Sequence, residues 1–244
     1  MIKFFRHIRQ SLIMKNQTGK YLKYAIGEII LVVIGILIAL QINNWNEARK
    51  ETFKERQLLN NLRIEFQDNL TDLDSIALEV DKVILALENV FSRFNPNITK
   101  PVEGLDQLLS DALNSPNWRP SEYLLNNLSN SGGIANLKNE QLKLLLYKWS
   151  RLQNQMHEVD MRTEQTGDEI IAYLKQHASL RNIDTKSGIF DYRKSNLVED
   201  NSKLLSDPLF ENYIDDKLYM YQSTQRILLD ARELLVKLIE ETKR

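Results

Sequence analysis

Two kinds of apolar pattern divide the chain. From Tyr24 to Trp45 nearly every side chain is apolar, whereas beyond Trp45 apolar residues recur at intervals of three and four. The first stretch has 22 residues and would be about 33 Å long as a helix, close to the thickness of a bilayer core. The second pattern is typical of amphipathic helices. The sequence therefore predicts a membrane-spanning helix followed by a helical body.

Three long amphipathic helices are predicted in the body, over about 59–94, 139–178 and 207–242. The third begins with Asp207 and Pro208, a favourable pair for the N-cap and first turn of a helix. Shorter helices are predicted near Leu105–Asn114 and Ser121–Ser129, and an irregular connection over 179–207. Helices of this kind form bundles. The predicted fold class is all-α, with an N-terminal transmembrane helix followed by an extracytoplasmic antiparallel helical bundle.

The first 23 residues form a separate region. If the first 14 of them are helical, apolar side chains share one face and basic or polar ones the other, as in a helix that lies on a membrane surface. The apolar face holds Phe4, Phe5, Ile8 and Leu12. A partly disordered basic tail is the alternative. The predicted domains are a basic amphipathic cytoplasmic segment at 1–23, a transmembrane helix at 24–45 and an extracytoplasmic helical bundle at 46–244.

Charge sets the direction of the membrane segment. Residues 1–24 hold six lysines and arginines and no acid, whereas the whole chain has a net charge of −1, so the body is acidic. The positive flank is expected in the cytoplasm. No small-residue cleavage site follows the apolar run, which predicts an uncleaved signal anchor in the inner membrane with a periplasmic body. The expected partner of the basic segment is the anionic headgroups of the cytoplasmic face, and nucleic acid is not expected as a partner.

One carboxylate, Glu28, lies about one turn inside the cytoplasmic end of the membrane segment. Its side chain can reach headgroup water or nearby lysines, which requires no function. Alternatively, Glu28, Gly35 and Ala39 share a helical face, and the Gly35-x-x-x-Ala39 pair lets two helices approach closely. That face predicts self-association or contact with other envelope proteins. A proton-conducting role for Glu28 is a third interpretation.

Each long helix of the body loses apolar character near its middle. The polar residues there are Asn69 in the first helix, Thr163 and Thr166 in the second, and Thr224 and Gln225 in the third. In antiparallel packing the middles of the helices lie at similar depth. These residues predict a polar layer that fixes the register of the helices or, alternatively, a small ligand cavity inside the bundle.

Residues suited to catalysis or metal binding are sparse. The chain has no Cys, which excludes disulfides, thiolate metal sites and cysteine nucleophiles. His157 has Asp160 and Glu164 on adjoining turns, but helical di-metal sites need Glu-x-x-His on two helices, a motif that this sequence lacks. His7 is expected to contact lipid or water, and His177 to pack or cap a helix. We therefore expect no metal, no cofactor and no catalysis.

The first 50 residues carry a family resemblance. The chain begins with IKFFR, passes through TGKYLKYAIGEI into the membrane segment, and ends that segment with LVVIGILIALQINNWNE. These motifs resemble a family of uncharacterised single-pass membrane proteins of Gram-negative bacteria. A looser resemblance continues through an SGG element at Ser131–Gly133 and an acidic, Leu-rich C-terminal helix. The resemblance implies the same topology and carries no activity.

Two functions are consistent with this sequence. The anchor and the small-residue face favour a membrane-anchored interaction or scaffold subunit of a bacterial envelope assembly, without catalysis. The alternative is an extracytoplasmic small-ligand sensory module. It would signal through a separate partner, since only the first 24 residues or so are expected in the cytoplasm.

Overall fold

The computed structural model describes residues 18–189, 191 and 193–243. This part of the chain is all-α and contains no strand, which confirms the predicted all-α class. The helices are α1 (Thr18–Phe91), α2 (Leu105–Ala112), α3 (Tyr123–Asn130), α4 (Gly133–Asn136), α5 (Glu140–His177), α6 (Leu180–Asp184) and α7 (Pro208–Glu241), with a 3-10 helix at Ser202–Ser206. The amphipathic helix predicted near the N-terminus lies outside the described residues, as does His7.

The chain divides into two compact units, residues 1–58 and residues 59–244. Helix α1 has 74 residues and contributes to both units, so the apolar segment and the first amphipathic helix are one continuous helix. In the first unit the large apolar side chains from Ile29 to Ile42 are exposed. By length and composition α1 is able to cross a membrane, and none of its most apolar window is buried. Where that window ends, the guanidinium of Arg49 lies 6.0 Å from the centre of the Trp45 ring.

In the second unit, α7 runs antiparallel to α1. Arg232 Nε donates to Asp74 Oδ1 at 2.7 Å, and Gln225 Nε2 donates to Asp81 Oδ1 at 2.6 Å. Seven residues forward along α1 thus correspond to seven residues backward along α7, which is the register of an antiparallel pair.

Helices α5 and α7 are also antiparallel. Near the end of α5 the hydroxyl of Tyr173 donates to Asp207, immediately before α7 begins. At the opposite end Asn139 Nδ2 donates to Glu241 Oε2 at 2.9 Å. The predicted cap at Asp207 is confirmed, because Asp207 Oδ1 accepts from Leu209 N at 2.8 Å. Asn139 caps α5 in the same way, since its Oδ1 accepts from Leu142 N at 3.0 Å.

The core of the bundle follows the predicted spacing with one correction on α7. The inward residues of that helix are Phe210, Ile214, Lys217, Tyr221, Leu228, Ala231, Leu235 and Leu238. The apolar spacing of the sequence also predicts Tyr213 and Leu218 at inward positions, and both are only half-buried. From Phe210 to Tyr221 these residues are spaced by three and four, and the half-buried Thr224 continues the spacing to Leu228. Lys217 lies at one of these inward positions, which brings a lysine inside the bundle.

The connection between α5 and α7 contains two short helical segments where the sequence predicted irregular structure: α6 and the 3-10 helix. Two buried asparagines hold the connection in place. Asn182 Nδ2 donates to Val198 O at 3.0 Å, and Asn201 Oδ1 accepts from Ser179 N at 2.8 Å. Since a buried amide without partners would cost free energy, these bonds favour one path for the chain.

Candidate functional site: a cleft in the helical body

Two polar side chains on the inward face of α1 fix the loop that forms one wall of the site. Asn69 Nδ2 donates to Ser121 O at 2.9 Å, and Asn69 Oδ1 accepts from Ser121 N at 2.7 Å. Glu65 Oε1 accepts from the hydroxyl of Ser121 at 2.7 Å, and the Glu65 carboxylate also accepts from Leu124 N. Both side chains are buried. They hold the segment Ser115–Pro120 over the middle of the bundle.

The second wall is a stretch of α5 in which residues at inward positions of the three-and-four spacing are less buried than those nearer the ends of the helix. Met156, Val159 and Thr163 occupy inward positions by spacing, yet all three are only half-buried. Beside Thr163 lies a cavity of about 410 Å³, which we call the cleft. It is lined by the loop 113–119, by α5 residues from Asp160 to Ile171, and by Lys217 and Tyr221 of α7. Its volume falls in the range of about 300–1,000 Å³ that small-molecule sites occupy.

Two further cavities adjoin the cleft beneath Trp118, one of about 390 Å³ and one of about 40 Å³. Asp160 lines all three. Trp118 packs edge-to-face on Trp149, with ring centres 6.2 Å apart. Its indole N–H is buried and has no hydrogen-bond partner among the described residues. An unpaired buried donor is uncommon in folded proteins, and here it lies at the edge of open space.

Lys217 is the least expected residue of the cleft. Its side chain is 2% exposed, and the contact that the structure gives its ammonium is with the ring of Tyr221, 5.4 Å from Nζ to the ring centre. Burial lowers the pKa of Lys217 to about 8. The amine therefore remains mostly protonated at neutral pH. A buried charge ordinarily has an ionic partner, and no ion pair to Lys217 occurs within residues 18–189, 191 and 193–243.

The rim of the cleft carries the opposite charge. Asp160, Glu164 and Asp168 follow each other at intervals of four along α5 and line the cleft, together with Arg119 from the loop. In the part of the chain that the structure describes, none of these four side chains forms an ion pair. Burial raises the pKa of the Tyr221 hydroxyl, and the nearby Asp160 carboxylate raises it further. The cleft thus holds a cation inside and carboxylates at its opening.

The five residues predicted to form a polar layer or cavity have different surroundings. Thr163 and Thr224 line the cavity of about 40 Å³, whereas Thr166 Oγ1 donates to Asp216 Oδ2 at 2.8 Å. Asn69 holds the loop, and Gln225 pairs with Asp81, twelve residues further along α1 than Asn69. The antiparallel register therefore separates Asn69 and Gln225 by about three turns. Only the threonines lie near the cleft.

Sequence reasoning missed Lys217, Glu65 and Trp118. The spacing along α7 could have identified Lys217 as an inward residue, because it lies three residues after Ile214 and four before Tyr221. The burial of Glu65 depends on the loop that folds over it, which no local pattern reveals. The same is true of Trp118, whose cavity is formed by α5 and α7.

The histidines of the body lie at its surface. His157 is exposed and lines the cavity of about 390 Å³. His177 is exposed and stacks on Tyr173, with ring centres 4.3 Å apart. A search of the described residues finds no group of three His, Asp or Glu side chains that could hold a metal ion.

The association face predicted from Glu28, Gly35 and Ala39 lies in the first unit, residues 1–58. Gly35 and Ala39 are exposed on α1, and a Cβ added at Gly35 would meet nothing within 4 Å. Glu28 is half-buried. The small residues therefore leave room at the surface of α1 for a second helix.

Over the described residues, these features define an all-α protein with an exposed apolar helical segment and a helical body. The chain belongs to a family of unknown function (DUF6090), whose model matches residues 28–156, more than half of its 244 residues. The match covers most of α1, the loop wall of the cleft and the first part of α5, and it ends before Asp160 and Lys217. No curated protein and no solved structure matches the chain.

Proposed function

We propose that the protein is a non-catalytic ligand-binding module anchored by a single membrane-spanning helix. The N-terminus lies in the cytoplasm, and the body lies in the periplasm of a Gram-negative bacterium, held by an uncleaved signal anchor in the inner membrane. Ligand binding in the cleft is passed to a separate partner protein. The observation that carries this proposal is the cleft itself, which contains a buried ammonium without an ionic partner.

The anchor is supported by physical chemistry at both ends of the apolar segment. Exposing large apolar side chains to water costs about 25 cal/mol per Å², and the segment from Ile29 to Ile42 exposes them on every face. A lipid environment removes that cost. The six basic residues of the N-terminal flank interact favourably with anionic headgroups on the cytoplasmic side.

The ligand-binding role is tested on the full chain in lipid nanodiscs. Thermal unfolding is measured against a library of small polar metabolites, for the wild type and for Lys217→Met. A ligand present at about 100 times its Kd stabilises the protein by about 2.7 kcal/mol, which raises Tm by several degrees. We expect at least one compound to raise Tm of the wild type and to leave Lys217→Met unchanged. Equal shifts in both proteins, or no shift with any compound, would refute the role.

A second function, an interaction or scaffold subunit of an envelope assembly, is favoured by the face formed by Glu28, Gly35 and Ala39. Small residues allow close approach of a helix from a second copy or from another envelope protein. Crosslinking in intact membranes is expected to give a dimer or a larger adduct, and Gly35→Leu with Ala39→Leu is expected to weaken it. Recovery of monomer alone would argue against this function. Leu37→Ala is the control, since it lies on the opposite side of the helix from this face.

A further inference from the structure

We infer that the cleft binds a small zwitterion that carries a carboxylate and an amine, as amino acids do. The carboxylate pairs with the ammonium of Lys217, and the amine pairs with the carboxylates of Asp160, Glu164 and Asp168. The inference rests on the proposed ligand-binding function and names the class of ligand.

The first requirement of the cleft is an anion at Lys217. Its side chain is 98% removed from solvent, since only 2% of it is exposed. The ring of Tyr221 supplies a partial negative charge through its face, which is weaker than an ion pair. A ligand carboxylate would give the ammonium the charge-assisted hydrogen bond that the described part of the protein does not provide.

The second requirement is a cation at the rim. The carboxylates of Asp160, Glu164 and Asp168 lie on neighbouring turns of α5, and all three line the same cleft as Lys217. Like charges placed close together repel each other, and a bound ammonium relieves that repulsion. Arg119 is the positive side chain on this rim, so acidic groups outnumber basic ones there.

A ligand with one sign of charge satisfies only one of these requirements. A simple carboxylic acid would pair with Lys217 but would have to pass three carboxylates. A simple amine would pair with the rim and leave the buried Lys217 without an anion. A molecule that carries both groups satisfies both ends of the cleft.

Gly167 provides an independent reason to regard the cleft as a ligand site. It lies in the interior of α5 and lines the cleft, and a Cβ added there would meet nothing within 4 Å. Glycine in a helix interior costs about 1 kcal/mol relative to alanine. Packing within the chain does not require this glycine, since a methyl group would fit. The missing side chain keeps the cleft open between Thr163 and Ile171.

The test is a three-arm thermal-shift panel on the full chain in lipid nanodiscs. The first arm contains the twenty common amino acids, each on the order of 5 mM so that weak ligands also register. The second arm contains the matching carboxylic acids without the amine, and the third contains the matching amines without the carboxylate. We expect at least one amino acid to raise Tm by several degrees, and its two single-charge analogues to bind at least ten-fold more weakly.

Three variants locate the bound molecule. Lys217→Met is expected to weaken the active amino acid at least ten-fold, and Gly167→Leu is expected to abolish binding because its side chain fills the cleft. Lys237→Met is the control, an exposed lysine on the same helix that pairs with Glu233. It should leave binding unchanged.

The outcomes separate the ligand class from the ligand-binding function. A carboxylic acid or an amine that binds as tightly as its amino acid would overturn the zwitterion and leave the function standing. A panel in which no amino acid shifts Tm would also overturn the zwitterion, and the metabolite library then decides the function. Binding that survives in both Lys217→Met and Gly167→Leu would overturn the site and therefore both proposals.

Discussion

The apolar segment of α1 and the cleft depart from ordinary burial in opposite directions. In the first, Ile34 and Ile38 are 46% and 55% exposed, whereas in the second a lysine is 2% exposed. Soluble proteins bury large apolar groups and leave lysine in water. A partner from outside the chain would remove the free-energy cost of each region. That partner would be lipid around the apolar segment and an anionic group beside Lys217. We therefore propose that reversed burial marks two places where this protein meets other molecules.

The two regions differ in how they arise from sequence. The apolar segment is a contiguous run, so its character can be read from one window of the sequence. The cleft is assembled from a loop, the middle of α5 and the first half of α7. Its lysine is unusual only because those three segments close around it.

The largest expected effect comes from placing charge in the apolar segment. Two lysines at mid-bilayer, in the double variant Ile34→Lys with Ile38→Lys, disfavour insertion by about 6 kcal/mol. We expect the variant to leave the membrane fraction on alkaline extraction. The matched control is Leu78→Lys with Leu85→Lys, at apolar residues of the body that are 63% and 60% exposed. If both double variants stay equally in the membrane, the contrast between the two regions is lost.

The next effect is a gain in stability when the buried charge is removed. Burial lowers the pKa of Lys217 from 10.5 to about 8. Between these values the unfolded chain binds more protons than the folded one, so stability of the wild type rises with pH across that window, by about 3 kcal/mol in all. Lys217→Met should lack this rise and be more stable at pH 7. Urea unfolding at several pH values measures the difference.

The same titration in Lys237→Met provides the control, because that lysine is exposed and paired with Glu233. Its stability curve should follow that of the wild type. If the stability curve of Lys217→Met also runs parallel to that of the wild type, the ammonium of Lys217 already has a compensating interaction in the folded protein. The cleft would then need no bound anion.

A smaller effect tests how the loop wall is held. Asn69→Ala removes two hydrogen bonds to the backbone of Ser121 and leaves buried polar groups without partners. We expect a loss of about 2 kcal/mol and a change in Trp118 fluorescence as the loop moves. Asn126→Ala, whose side chain is exposed and bonds only locally to Glu122, should change neither. Unaltered stability in Asn69→Ala would show that the loop is held by other contacts.

The smallest effect concerns the start of α7, which positions Lys217. Asp207→Ala removes an N-cap and is expected to cost about 1 kcal/mol. The hydrogen bond from Tyr173 is the main cause of the lowered pKa of Asp207. This stabilisation is present above the unfolded-state pKa near 3.8 and is lost as pH falls through the lower folded-state value. Acid unfolding should therefore be less steep in Asp207→Ala than in Asp215→Ala, an exposed control.

Much of the fold was predictable because it depends on local patterns. The caps at Asn139 and Asp207, the bounds of α5 and α7, and the inward apolar residues of α1 follow from spacing and capping preferences. The helical segments within 179–207 did not follow, because their stability comes from the long-range bonds of Asn182 and Asn201.

The site was predictable only in part. The weak apolar character around Thr163 and Thr224 coincides with residues that line the cavities. Lys217 was not predicted to be buried, because inward positions of α7 were identified by their apolar residues and Lys217 is charged. Asn69 and Gln225 were predicted to lie at the same depth of the bundle because each is near the middle of its helix. The actual register of the helices depends on the loops between them.

The most direct measurement of the central claim uses the absence of cysteine from this chain. Single cysteines are introduced at Lys3, Ile36 and Leu85 and treated with a membrane-impermeant maleimide on intact spheroplasts. The account predicts that Leu85→Cys is labelled at once, Lys3→Cys only after the membrane is permeabilised, and Ile36→Cys only after denaturation. Labelling of Lys3→Cys, or protection of Leu85→Cys, on intact spheroplasts would contradict it.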